Sequence, residues 1–136
     1  ILPGVSDALV TQIDLLASLG ALVGSSETGL DSENLLDAFL GKSQKGRESV
    51  ILEATTKTAL RAGDWAMIPP YKGPAFRNDI NIEMGNSSEY QLYNLKDDPG
   101  QQNNLASSNP EKLEEMKKKY QEIRGVEGKF EQLELK

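Results

Sequence analysis

Tyr90-Gln91-Leu92-Tyr93-Asn94-Leu95-Lys96-Asp97-Asp98-Pro99-Gly100 is the stretch on which a reading of the fold turns. Tyr90, Leu92 and Asn94 alternate with Gln91, Tyr93 and Leu95. A period of two sends side chains to opposite faces of a strand. Asp97-Asp98-Pro99-Gly100 then predicts a turn, because Asp bonds its own backbone and Pro and Gly supply the required torsions. Downstream, Asn109 stands at an N-cap position and Pro110 at the first helical position, where its missing N–H leaves nothing unsatisfied. Leu113, Met116, Tyr120 and Ile123 then make one apolar stripe, and Gly125 ends the helix. Glu114 precedes Lys118 by four residues and Glu115 precedes Lys119 by four, a spacing at which acid and base pair along a helix.

Upstream, residues 50–52 (Val-Ile-Leu), 55–60 and 65–68 predict strands, the last two joined at Ala62-Gly63-Asp64 as a hairpin. Pro69-Pro70 closes the second of these, since neither ring nitrogen donates to a ladder. Residues 71–86 read as a long irregular loop, a length that is often functional. Nearer the start, Leu9, Val10, Thr11 and Ile13 suggest a short strand over 8–13. Asp14 reads as the cap of a helix whose Leu15, Leu19 and Leu22 share one face and which stops at Gly24. Asp31 or Ser32 is expected to cap a second short helix carrying Leu35, Leu36, Phe39 and Leu40, stopped by Gly41. The polar run 42–48 marks a domain boundary, placed after residue 45, because helical signals end there and strand signals begin.

Composition narrows the chemistry. The chain has 136 residues, 21 acidic against 15 basic, and a net charge of −6. Nucleic acid and anionic membranes call for clustered basic charge and are disfavoured as partners. No stretch is apolar enough to span a bilayer. With Cys and His both absent, thiolate catalysis, Cys-based zinc sites and His-based triads are excluded within this chain. Ser43 lies two places from Lys45, a spacing with no activating mechanism behind it, and Gly41-Lys42-Ser43 lacks the rest of a phosphate loop. Asp97 and Asp98 read as turn formers rather than as a calcium site, since nothing nearby completes a ligand set. No catalytic or metal-binding residue is therefore assigned. Trp65, Tyr71, Phe76, Tyr90 and Tyr93 either line a sugar surface or fill the core, and core is the preferred reading for Trp65 and one face of the 90–95 strand. Arg77, in the long loop, is the candidate for gripping an anionic substrate group, because a guanidinium matches sulfate or carboxylate geometry. The opening Ile1-Leu2-Pro3 shows no signal peptide and reads as a cut inside a longer polypeptide.

Three stretches, taken in order, resemble the C-terminal third of the sulfatase family. Val10-Thr11-Gln12-Ile13-Asp14-Leu15-Leu16-Ala17-Ser18-Leu19 is similar to its strand–Asp–helix segment, with Ala17-Ser18 where Pro-Thr is usual. Ala59-Leu60-Arg61-Ala62-Gly63-Asp64-Trp65 resembles its hairpin, with Ala66 in place of the customary Lys. Gln91 to Ala106 resembles its Leu-Tyr-Asp-Leu…Asp-Pro-Gly-Glu…Asn-Leu signature, with Gln91 and Gln101 where Glu is common. Asp31 to Gly41 resembles a further family segment.

The resemblance implies an α+β fold: a small antiparallel β-sheet packed by a C-terminal α-helix (residues 46–125), preceded by a strand–helix remnant of a larger α/β domain (residues 1–45) and followed by a tail (residues 126–136). It also implies a sulfuric ester hydrolase whose formylglycine nucleophile and calcium site lie upstream. The Cys/Ser-x-Pro-Ser-Arg motif is absent here, so this chain alone is expected to be inactive. Its partners would be the N-terminal catalytic part and a sulfated substrate such as a glycan, with residues 71–86 at the pocket rim. The resemblance places the parent in the periplasm or outside the cell. Because the parent would cover some of its surfaces, the isolated piece is expected either to self-associate or to repack residues 1–45 on its own sheet. A second reading is a non-enzymatic glycan-binding or protein-interaction module.

Overall fold

Gly63 and Asp64 fold the chain back on itself, with Gly63 at φ +54° in the left-handed region that a two-residue hairpin turn demands. The strands they join are β2 (Lys57–Ala62) and β3 (Trp65–Ile68). They pair antiparallel, with Leu60 opposite Met67 and Ala62 opposite Trp65. β3 in turn pairs antiparallel with β6 (Gln91–Asn94), setting Met67 opposite Leu92. β1 (Ser49–Ala54) completes a four-stranded sheet in the order β1-β2-β3-β6. A computed structural model describes residues 4–26, 29–54 and 57–125. Thr55 and Thr56 of the expected second strand, and the expected tail 126–136, lie outside the described residues.

The register builds the core. Leu60, Met67 and Leu92 form one row across three strands, and all three are fully buried. Helix α3 (Pro110–Arg124) lays Met116 over that row. Full burial of side chains of this size stabilises by about 1.5–3 kcal/mol each. Leu113, Tyr120, Tyr90 and Trp65 pack around the same cluster, so Trp65 serves the core. The expected strand, turn and helix of residues 90–125 are all present. Asn109 begins α3 without a side-chain cap bond; its carbonyl instead accepts the Leu113 N–H at 3.0 Å. Ion pairs on α3 form at a spacing of three, Glu114 with Lys117 at 2.6 Å and Glu115 with Lys112 at 2.7 Å. The same two lysines stand over aromatic rings, Lys112 over Trp65 at 5.7 Å and Lys117 over Tyr90 at 4.4 Å. Each ammonium thereby ties helix to sheet, at about 0.5–1 kcal/mol for an exposed contact.

Residues 71–86 are more ordered than a plain loop. Phe76–Arg77 (β4) and Ile82–Glu83 (β5) form a small antiparallel ribbon, with Asn81 at φ +51° in the connecting turn. Tyr71 anchors the start of this segment. Its hydroxyl accepts the Thr58 N–H at 2.7 Å and donates to the Thr58 carbonyl at 3.1 Å. The Thr58 hydroxyl also meets Tyr120 of α3 at 2.5 Å.

The chain divides between Ser49 and Val50 into two units. The first holds α1 (Leu15–Leu22) and α2 (Leu36–Phe39). The strand expected over 8–13 does not form there. Among the described residues its peptide groups find one long-range backbone partner, Arg47 N–H to the Leu9 carbonyl at 2.8 Å, and Gln12–Asp14 turns into a 3-10 helix. Gly46 permits that approach, because a Cβ there would collide with the Leu9 backbone. α1 closes as expected near Gly24, with Ser25 N–H bonded to the Gly20 carbonyl at 2.8 Å and Gly24 N–H to that of Ala21 at 3.2 Å, the paired bonds of a Schellman end. The sheet, its covering helix and the mixed helical segment before it make the fold α+β, with the strand of the preceding segment replaced by a helical turn.

The Leu60–Met67–Leu92 row predicts a sharp cost for truncation. Leu92→Ala should lower the unfolding free energy by about 2–5 kcal/mol. Urea denaturation followed by the fluorescence of Trp65, the single tryptophan, reads this directly; a loss well under 1 kcal/mol would place the core elsewhere.

Candidate functional site

Asp14 sits in the 3-10 turn and has no exposed surface. Its carboxylate does not cap α1. One oxygen, Oδ2, accepts the Thr11 N–H at 2.9 Å and the Thr11 hydroxyl at 3.0 Å. The other, Oδ1, accepts the Glu33 N–H at 3.1 Å. Arg47 closes the cluster, with Nε 2.9 Å from both carboxylate oxygens and Nη2 also on Oδ1. Nη1 reaches Glu33 Oε1 at 2.9 Å and Nη2 also reaches the Asp31 carbonyl. Ser18, also buried, accepts the Leu35 N–H at 2.9 Å, and Ser32 accepts the Ala17 N–H at 2.9 Å. Burial alone would raise the Asp14 pKa. The Arg47 guanidinium and the Glu33 and Thr11 donors outweigh it and bring the value from 3.8 to about 2. Asp14 in return raises the pKa of Arg47. Every guanidinium nitrogen has a partner inside the protein and the side chain is only 12% exposed, so this cluster is a clamp on the fold. Arg47 carried no signal in the sequence, where it sits in a polar run 33 residues from its partner.

Arg77, the residue proposed to grip an anion, lies on β4 and is exposed. Its Nε and Nη2 are taken by Asp79 at 3.2 and 2.6 Å. The Arg77 contact holds the Asp79 carboxyl below the usual carboxylate range. A sulfate would therefore compete with a carboxylate already in place. Phe76, Ile80 and Ile82 are exposed around it. A second feature of the same segment is a cleft of about 250 Å³ lined by Lys57, Thr58, Ile68, Tyr71, Met84 and Gly85. Lys57 Nζ at this cleft bonds Asn86 Oδ1, and Asn86 Nδ2 bonds the Pro74 carbonyl at 2.7 Å.

The other sequence candidates have structural roles. Asp98 accepts the Gln102 and Asn103 N–H groups at 3.0 and 2.8 Å, which lower its pKa, and Asp97 accepts from Asn94 Nδ2 at 2.8 Å. They make the expected turn. Ser43 Oγ accepts the Lys45 N–H at 3.0 Å in the wall of a cleft of about 470 Å³ that also includes Glu33, Leu36, Asp37 and Gly46. Gly41 ends α2 at φ +70°. Among the described residues, no group of three or more His, Cys, Asp or Glu can hold a metal ion. No helix among them is long and apolar enough to cross a membrane.

Among the described residues, a four-stranded antiparallel sheet is covered by one helix, α3. No family model matches the sequence. The chain is 36% identical over 118 residues to the N-acetylgalactosamine-6-O-sulfatase of Bacteroides thetaiotaomicron, covering 84% of this chain and 23% of that protein. Its fold matches a solved 6S-sulf protein from a Bacteroides thetaiotaomicron locus that orchestrates metabolism of multiple glycosaminoglycans. That match has a TM-score of 0.80 at 32% identity and covers 89% of this chain and 26% of the other. Ps i-CgsB, solved in complex with k-i-k-neocarrahexaose, shares the fold at a TM-score of 0.60 and 18% identity, over 85% of this chain and 24% of the other. By sequence homology and by fold, the chain corresponds to the C-terminal part of a sulfatase. It spans about a quarter of the length of the relatives it matches.

The Asp14–Arg47 clamp makes the first unit acid-sensitive. The folded pKa lies below the ordinary 3.8, so its stabilisation, about 2 kcal/mol, is complete above pH ~5 and disappears as pH falls toward 2. Asp14→Asn strands the guanidinium without its counter-charge and should cost about 3–5 kcal/mol at neutral pH. Amide-exchange protection factors at Glu33 and Leu35 from pH 7 to pH 2 test both; a wild-type profile flat through this range would contradict the clamp.

Proposed function

We propose that this chain is the C-terminal part of a sulfuric ester hydrolase acting on a sulfated glycan. In this reading residues 1–45 finish the α/β catalytic domain and residues 46–125 form the C-terminal subdomain. The observation that carries it is the homology to an N-acetylgalactosamine-6-O-sulfatase along most of the chain. That relative's name points to a sulfated amino sugar as the substrate class. The chemistry belongs to the rest of the polypeptide, because a chain without His or Cys offers neither the usual base near neutral pH nor a thiol nucleophile. Formylglycine and calcium would be held there too. The residues of this chain do not fit them: the formylglycine motif is missing from the sequence, and no group of three or more His, Cys, Asp or Glu among the described residues could hold a metal ion. Export to the periplasm or beyond goes with the same reading.

Within the whole enzyme, the 71–86 segment would stand at the rim of the substrate pocket. Its β4–β5 ribbon presents exposed Arg77 opposite exposed Ile82, a cation next to an apolar side chain. Such a pair suits a sulfated sugar, the apolar side chain meeting the sugar face and the guanidinium the anion. Asp79 holds the guanidinium until the sulfate replaces it.

The decisive assay is aryl-sulfate hydrolysis with calcium, run on this chain and on the full-length polypeptide. Turnover by the full-length protein alone is expected; turnover by this chain would overturn the assignment of the chemistry. For the rim, Arg77→Ala in the full-length enzyme should raise KM for a sulfated oligosaccharide about ten-fold with kcat kept, the loss of one charge-assisted contact made equally in ground and transition states. An unchanged KM would return Arg77 to a surface ion pair.

A further inference from the structure

Helix α1 is built inside out. Its inward side carries Ser18 and Ala17, next to Asp14, and these are the residues it buries. Its leucines point the other way. Leu15, Leu16, Leu19, Leu22 and Val23 are between 40% and 80% exposed. From Leu15 to Ser26 there is no charged side chain. Nor does the first unit have an apolar core of its own: among its described residues the buried ones are Asp14, Ala17, Ser18 and Ala38. A helix normally turns its leucines to the core and its polar groups to water. Here the polar groups are used up internally, by the Asp14–Arg47 clamp and the Ser18 and Ser32 bonds, and the apolar side is left over. Contiguous exposed apolar surface of this kind marks an interaction face.

We infer that the outer face of α1 is the seat of the N-terminal part of the same polypeptide, which closes the hydrophobic core that this unit lacks. The inference rests on the reading of the chain as the C-terminal part of a longer sulfatase. The relatives are about four times its length, so a large body of chain is available to cover one helix. Other occupants fit less well. A helix lying on a membrane pairs its apolar side with a Lys- and Arg-rich one, and the opposite side here carries Asp14 and Ser18. A second copy would meet the face with another two-turn helix, far less than the roughly 1,600 Å² of a standard stable interface. The clamp has a matching purpose: it fixes the orientation of α1 from behind, so that the leucines are held outward before their partner is packed.

Carbene footprinting tests this on the full-length polypeptide and on the present chain, each over a range of concentrations. Leu16, Leu19 and Leu22 should label in the chain alone at every concentration. In the full-length protein their labelling should fall about ten-fold, as for side chains that open only with their packed neighbours. Equal labelling in the two proteins would overturn the inference. So would protection of the chain alone: if it grows with concentration, a second copy is the occupant, and if it does not, the chain covers the face itself. Leu19→Glu supplies a second readout. It should leave the protection of the Glu33 and Leu35 amides unchanged in the chain alone and lower the melting temperature of the full-length protein. Loss of that amide protection in the chain alone would mean that Leu19 packs within its own unit, and would overturn the inference. Labelling reads burial and not turnover, so it can fail while the aryl-sulfate assay succeeds, and the reverse.

Discussion

Asp14 and Arg47 hold the first unit together from positions 33 residues apart. A carboxylate stripped of water costs several kcal/mol unless its charge is met and its lone pairs are filled. Both conditions are satisfied here. The guanidinium meets the charge, and the Thr11 and Glu33 amides fill the remaining acceptor positions. The consequence is geometric. Three segments, around residues 11, 31–33 and 47, must converge on one side of α1. Removing either partner leaves the other as a buried, uncompensated charge, so the segments are held as a set. Buried ion pairs are often poor sources of net stability, and this one does not replace a hydrophobic core. It specifies an arrangement in a unit whose apolar side chains face outward.

The second unit is organised by the opposite force. Leu60, Met67 and Leu92 line up because antiparallel register places them opposite one another, and Met116 covers them because it lies on the stripe of α3. Burial here is non-directional, and the polar contacts refine it. Thr58 shows how. Its backbone is in β2, while its hydroxyl joins Tyr71, at the start of the 71–86 segment, to Tyr120 on the covering helix. A stretch with only two short paired strands thus begins from a fixed point. Its exposed ribbon can vary in chemistry without disturbing the row of buried side chains beneath the helix.

This contrast explains what was legible in the sequence. Helix α3 was readable because its signals are local: Pro110 at the start, apolar residues at helical spacing, Gly125 at the end. The β2–β3 hairpin was readable from Gly63-Asp64 between two apolar runs. Trp65 was assigned to the core on size alone, correctly. Residues 8–13 were misread because Val, Thr and Ile favour a strand only where a neighbouring strand accepts their backbone groups, and Leu9 finds a single bond to Arg47. Asp14 was misread for a related reason. An acid before a leucine run has the local pattern of a cap, and only the distant guanidinium makes it a buried partner. The β4–β5 ribbon was missed because two-residue strands leave almost no periodicity to detect. Arg77 lies in that segment, and its Asp79 partner two residues on went unread.

The two units differ in what would make them rigid supports for a catalytic part. Electrostatic catalysis depends on groups that do not relax during the reaction, so a supporting domain contributes by stiffness. The sheet-and-helix unit supplies stiffness from within, because its core is complete. The first unit is only half supplied. Its polar side is saturated and its apolar side is open, so its rigidity depends on what packs against α1. In a whole enzyme that dependence would couple the supporting part to the catalytic part through packing, with no shared catalytic residue. A substitution on the outer face of α1 could then lower turnover by loosening the catalytic domain, far from any reacting atom, whereas a substitution in the Leu60–Met67–Leu92 row would act first on the stability of its own unit.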